Sequence, residues 1–222
     1  MKKWLKVLLL CVLVLLLLAA GLYLWQRENI NAIVHVLKTD SETIAQELEN
    51  KRQEHHQAIE ESTGNALTVK PITKEQSQDL LDGKVTPEEI KEELGLPTEP
   101  PAETALSTQE DIINQCVAEL YAYKADVMGY LGGLKQAALA QWRALDKKER
   151  TATKKAEISM EGLRQCYAYE AQVDAGVQEI LGRYRSKMTD IGGDTKPIDD
   201  LWYYYCDEKE AEKSYYIDQY IN

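Results

Sequence analysis

The residues able to bind a metal or carry a proton are few, and their spacing is poor for either task. The only histidines are His35, His55 and His56. In "QEHHQ" two of them are adjacent, so on a helix they diverge by about 100° and do not form the i, i+4 pair that grips zinc. They read as part of a solvated helix face. The sequence holds no G-x-S-x-G, no Walker A loop and no G-x-G-x-x-G, and Gly192-Gly193-Asp194 reads as a turn. The 37 acidic residues could supply an acid–base pair, but no strand scaffold is legible that would aim two of them into a cleft. Enzymatic activity, a cofactor and a metal are therefore not expected.

What the elements must position is set first at the N-terminus. Val7 to Trp25 is an uncharged run (VLLLCVLVLLLLAAGLYLW) that spans about 28 Å as a helix, against a bilayer core of about 30 Å. Lys2, Lys3 and Lys6 precede it, so the positive-inside rule predicts a cytoplasmic start and an outer C-terminal domain. The alternative is a signal peptide cleaved near Ala19-Ala20-Gly21, leaving a secreted protein. The apolar run continues past that site to Trp25, which favours the uncleaved anchor. Net charge is −11, distributed as +3 over residues 1–25, −9 over 26–106 and −5 over 107–222. That balance argues against nucleic acid as a partner.

The expected fold class is all-α. Residues 1–6 form a cytoplasmic start and 7–25 a transmembrane signal-anchor. Residues 26–62 form a charged juxtamembrane helix, in which Ile30, Val34, Leu37, Ser41, Ile44, Leu48, Lys51, His55, Ala58 and Ser62 follow heptad spacing. That seam predicts either a homo-oligomeric coiled coil through residues 30–62 or a lone helix with a narrow apolar edge. Residues 63–106 hold two short helices and a proline-rich acidic linker. Thr73-Lys-Glu-Gln76 and Thr86-Pro-Glu-Glu89 are capping boxes, and Asp82-Gly83 and Gly95 are the stops. The apolar residues of these two helices are expected to pack on one another. Residues 107–222 predict an antiparallel three-helix bundle with helices near 108–145, 153–189 and 198–220, the first bending or closely approached at "MGYLGGL".

Bundle geometry singles out one cysteine pair. With turns near residues 149 and 193, Cys116 and Cys206 lie about 3 Å apart in height, whereas Cys166 is more than 20 Å from either. A Cys116–Cys206 disulfide is expected, with Cys166 a buried thiol. Two surface features remain. Arg143, Lys147, Lys148, Arg150, Lys154 and Lys155 cluster at the first bundle turn, as a basic tip or simply a solvated turn. Of thirteen tyrosines, six fall between 203 and 220 in a chain without Phe. Tyr203, Tyr204, Tyr215, Tyr216 and Tyr220 exceed what a short helix can bury, and predict a contact face.

The layout of one span, a juxtamembrane helix and an outer domain is similar to bitopic bacterial envelope proteins such as divisome scaffolds. That similarity is topological and carries no motif. It implies a non-enzymatic, single-pass cell-membrane protein that touches the lipid bilayer through residues 7–25. An envelope protein partner is expected, and the tyrosine distribution rather than that similarity points to the C-terminal helix as its docking face. The alternatives are a module for cell-wall glycan or anionic polymer, or a secreted helical sensor or inhibitor.

Overall fold

The computed structural model describes residues 34–62, 67–99 and 108–221, with side chains through 218. The expected anchor at 7–25 and most of the proline linker lie outside the described residues. Among the described residues every regular element is a helix, and none is long and apolar enough to cross a membrane. The helices are α1 (Ser41–Ser62), α2 (Lys74–Leu81), α3 (Pro87–Leu94), α4 (Gln109–Ala144), α5 (Ala152–Asp190) and α6 (Lys196–Ile221). The chain divides into two compact units, residues 52–205 and residues 1–51 with 206–222. This division differs from the linear order read from the sequence, because α1 and α6 each contribute to both units.

In the unit of residues 52–205, α4 and α5 form an antiparallel hairpin. Lys187 donates to Gln115, Tyr184 to Glu119 and Tyr123 to the Gln172 carbonyl, while Tyr130 stacks on Tyr169. Partners fall on α5 as they rise on α4, which defines the register. The start of α6 runs back along α5, with Asp199 beside Arg185 and Tyr205 donating to Asp174. Three antiparallel helices therefore meet at the base of the hairpin, around Ile112, Cys116, Val117, Val177, Ile180, Tyr184, Met188, Ile198 and Leu201. Ile59 of α1 joins this core. Further out the packing thins, and no side chain from Gly133 through Gln172 is buried.

The two short helices begin and end where local chemistry dictates. Thr73 and Thr86 each accept from the backbone three residues on, and Gln76 and Glu89 return the bond to the cap. Gly95 closes α3 in the left-handed region at φ +66°. The helices pack on α4 more than on each other, contrary to the expectation of a shared core. A side chain at Gly129 would meet the Pro87 ring at 2.4 Å, and one at Gly132 would meet the Leu80 carbonyl oxygen at 2.4 Å. Gly129 and Gly132 of "MGYLGGL" thus serve close approach inside a continuous helix. Lys91 reaches Asp126 at 2.6 Å, and Lys135 reaches Asp82 at 2.6 Å.

Asp82 is the C-cap of α2 and also accepts from Gln78, while its backbone carbonyl accepts from Gln136. The Lys135 ammonium holds the Asp82 carboxyl below its ordinary 3.8, with partial burial opposing. A depressed carboxyl adds stability above the unfolded value, and that stability is lost as pH falls through the lower folded value. Asp82→Asn is expected to cost about 1 kcal/mol at pH 7. Thermal melts at descending pH should show the gap between variant and parent closing below 3.8. A gap that stays constant to pH 2 would assign the effect to packing instead.

In the other unit, the first part of α1 runs antiparallel to the last part of α6. Ser41 donates to Asp218 at 2.9 Å and Lys51 to Asp207 at 2.5 Å. Val36, Ile44, Leu48, Tyr215 and Ile217 form its core. The expected uninterrupted juxtamembrane helix is broken. Residues 34–38 are helical, the chain leaves the helix at 39–40, and Asp40 caps the new start by accepting from the Thr43 backbone and hydroxyl. The break shifts the phase of the seam. Val34 and Leu37, both on the expected heptad, are exposed, and the off-seam Val36 is buried. Ile44 and Leu48 are covered by this chain's own C-terminal helix, which leaves them unavailable to a coiled-coil partner.

Candidate functional site

Of the five tyrosines proposed as one face, the four whose side chains are described differ in exposure. Tyr203 is 68% exposed, with Tyr204 set edge-on to it at 6.3 Å. Tyr204 turns inward and stacks on His55 at 4.8 Å against the base core. Tyr215 is buried in the smaller core, which overturns its place on an exposed face, and Tyr216 packs edge-on against it at 5.2 Å. The Tyr220 side chain lies outside the described residues. Consecutive helical residues diverge by about 100°, so a run such as Trp202-Tyr203-Tyr204-Tyr205 must divide its rings between core and solvent. Tyr203 is the ring left on the outside.

The basic cluster is brought together as expected, at the tip of the α4–α5 hairpin. Asp146-Lys-Lys-Glu149 is a β-turn closed by Glu149 N–H donating to the Asp146 carbonyl at 2.9 Å. Lys147 and Lys148 hold its two central positions. Arg150 folds back and donates to the Arg143 carbonyl at 2.8 Å and the Leu145 carbonyl at 3.1 Å, satisfying the orphan acceptors at the end of α4. Thr151 caps α5 by accepting from Lys154 N–H, and the Lys154 ammonium pairs with Glu157. The six cations thus have different work. Arg150 and Lys154 are used inside the turn. Arg143, Lys147, Lys148 and Lys155 are exposed, and no carboxylate among the described residues pairs with them. The first turn of α5 also lacks an acidic residue, where α1 to α4 and α6 each carry at least one.

A second aromatic cluster was not legible beforehand. Tyr130 and Tyr169, at 4.1 Å between ring centres, lie across the hairpin with Tyr130 partly exposed. Gly176 leaves room for the Tyr123 ring, whose hydroxyl would sit 2.3 Å from an added side chain. The signal was available as tyrosines on one stripe of α4, but their partners on α5 depend on the hairpin register.

The expected Cys116–Cys206 bridge is not formed, and Cys116, Cys166 and Cys206 are all thiols. The height argument assumed three helices side by side over their full length. Only the first part of α6 joins the base of the hairpin, and Cys206 belongs to the other unit. Cys116 is enclosed in the base core, where burial and then the Glu119 charge push its thiol well above the ordinary range. Cys166 is half-buried rather than buried, and burial raises it too. Iodoacetamide is accordingly expected to spare Cys116 in the native protein and to modify it fully in unreduced denaturant. Protection that persists in denaturant without reductant would restore the disulfide.

Of the three histidines only His55 leaves the solvated face. His55 is buried against Tyr204, His35 contacts Glu47 at 2.8 Å, and His56 faces Glu60 at 3.6 Å. Among the described residues no group of three metal-ligating side chains converges.

Sequence reasoning also missed a buried charge. Glu119 lies on the inward side of α4, where it accepts from Tyr184 at 2.8 Å and pairs with Arg183. Lys187 sits 4.7 Å above the Tyr184 ring. Burial, and then the bond to Glu119, push the Tyr184 phenol far above its ordinary value. The group is tied into the hairpin base and presents no reacting atom to solvent.

Fold and surface together define the class: an all-helical protein built on an antiparallel hairpin with a cationic tip. No protein-family model matches the chain, and no curated protein or solved structure is significantly similar to it.

Proposed function

We propose that this chain is a non-enzymatic, membrane-anchored interaction protein of a bacterial envelope. In this reading residues 7–25 anchor it, the helical part stands on the outer side, and a protein partner docks on the exposed part of α6. The observation that carries the reading is Tyr203, a large ring 68% exposed on a helix whose neighbouring aromatics are drawn inward. A lone exposed tyrosine flanked by packed rings is a preorganised anchor, because few rotamers are lost when it is covered. The test is a photo-crosslinking residue at 203 in the full chain in native membranes, with position 215 as a buried control. A discrete protein adduct at 203, absent at 215, is expected. No adduct at 203, or equal adducts at both, would remove the proposed docking face.

The Tyr130–Tyr169 pair supports a second reading, that of a cell-wall glycan module in which aromatic rings stack on sugars. Co-sedimentation with purified sacculi that is lost in Tyr130→Ala would favour it.

A further inference from the structure

We infer that the hairpin tip, through Arg143, Lys147, Lys148 and Lys155, docks on an anionic phospholipid surface. The inference rests on the membrane-anchored part of the reading above and is independent of the Tyr203 face. Four exposed cations at one end of a chain of net charge −11 are unneutralised by the carboxylates around them. Glu157 is paired with Lys154. The Asp146 and Glu149 carboxylates stay charged in the turn without an ion pair to these four cations, which leaves the tip a net cation. Lower on α5, Arg164 is likewise claimed by Glu161. Complementarity therefore asks for an anionic partner.

The remainder of the protein is acidic, and would resist such a surface if it lay close. Within the unit of residues 52–205, the acidic helix α3 does not lie close to the tip. The acidic helix α3 contacts α4 at Asp126 and Gly129. From Gly129 to the end of α4 at Ala144 is about 22 Å of helix, against a screening length of about 8 Å at physiological salt. The tip acts as a local cation.

Two features select lipid among anionic partners. The uncharged run from Val7 to Trp25 has the length that places a chain at a bilayer. The tip also offers apolar surface beside its charges, with Trp142 and Leu145 half-exposed and Met160 65% exposed. Cations with interfacial aromatic and aliphatic groups suit the headgroup boundary, where each basic residue strengthens attachment about five-fold.

The test uses the full chain in nanodiscs of neutral phosphatidylcholine, which leave the tip unoccupied. These are mixed with vesicles of phosphatidylcholine alone or with 30% phosphatidylglycerol, and vesicle capture is measured. The expected result is capture of the anionic vesicles only, abolished in high salt. Lys147→Ala with Lys148→Ala should weaken it about 25-fold, Lys148→Ala alone about five-fold, and Lys147→Arg with Lys148→Arg should retain it. Equal capture of neutral vesicles, or undiminished capture by the double Ala variant, would overturn the inference. Binding of soluble polyphosphate without vesicle capture would do the same, because it makes the partner a polymer. Failure of the chain to enter nanodiscs would instead count against the anchor, and flotation of the chain with the same vesicles would then read the tip by itself.

Discussion

Glu119→Ala is expected to lower the thermal midpoint by about 5–15 °C, from a loss of about 2–4 kcal/mol. The carboxylate is buried, and two groups depend on it. Tyr184 is 1% exposed and donates its hydroxyl to Glu119 at 2.8 Å, so truncation strands a phenol that water cannot reach. Arg183 also pairs with Glu119, but its side chain is 41% exposed and can return to solvent, which makes its share small. Tyr184→Phe alone removes one donor and leaves Glu119 held by Arg183, for about 1 kcal/mol. The double variant should cost less than the sum of the two, with a coupling of about 1–2 kcal/mol, because no hydroxyl is then stranded. Calorimetry of the four proteins measures the cycle. Additive losses would mean that the bond contributes nothing beyond packing. A Glu119→Ala midpoint within a degree of the parent would mean that the site is wetter than the structure has it.

The second large effect separates two adjacent glycines. Gly132→Ala places a methyl 2.4 Å from the Leu80 carbonyl oxygen and 3.2 Å from Leu81 Cα, both backbone atoms that no rotamer can move aside. Helix α2 must back away from α4, which uncovers Leu80 and Leu81 and loosens the Lys135–Asp82 contact. The cost is expected at about 2–4 kcal/mol, felt mainly by α2. Hydrogen exchange over residues 73–83 should quicken while the hairpin base stays protected. Gly133→Ala meets nothing within 4 Å and is exposed, so only helix propensity applies. It is expected to stabilise by about 0.5–1 kcal/mol. The opposite signs follow from about 100° of rotation on one helix. If both substitutions stabilise, α2 does not dock where the structure places it.

These two sites show where local reasoning ends. Thr73 with Gln76, Thr86 with Glu89, and Gly95 were legible in advance, since a cap is satisfied by groups within four residues of itself. The limits of α4 and α5 follow the same rule, and so does the basic turn between them. The start of α1 at Ser41 was equally local, because Asp40 is a capping residue. It was overridden by the heptad spacing, which ran through it and suggested one unbroken helix.

The sequence by itself determined which segments are helical, where most of them start and stop, and that their apolar stripes must be covered. An apolar stripe states that a surface will be buried but not by what, because hydrophobic attraction has no direction. Only the tertiary structure decided that Ile44 and Leu48 meet Tyr215 and Ile217 of the same chain. It likewise kept Cys116 and Cys206 as separate thiols and brought Glu119 beneath Tyr184. Each of those outcomes depends on the register between helices far apart in the chain, and register is set by the whole packed interface at once.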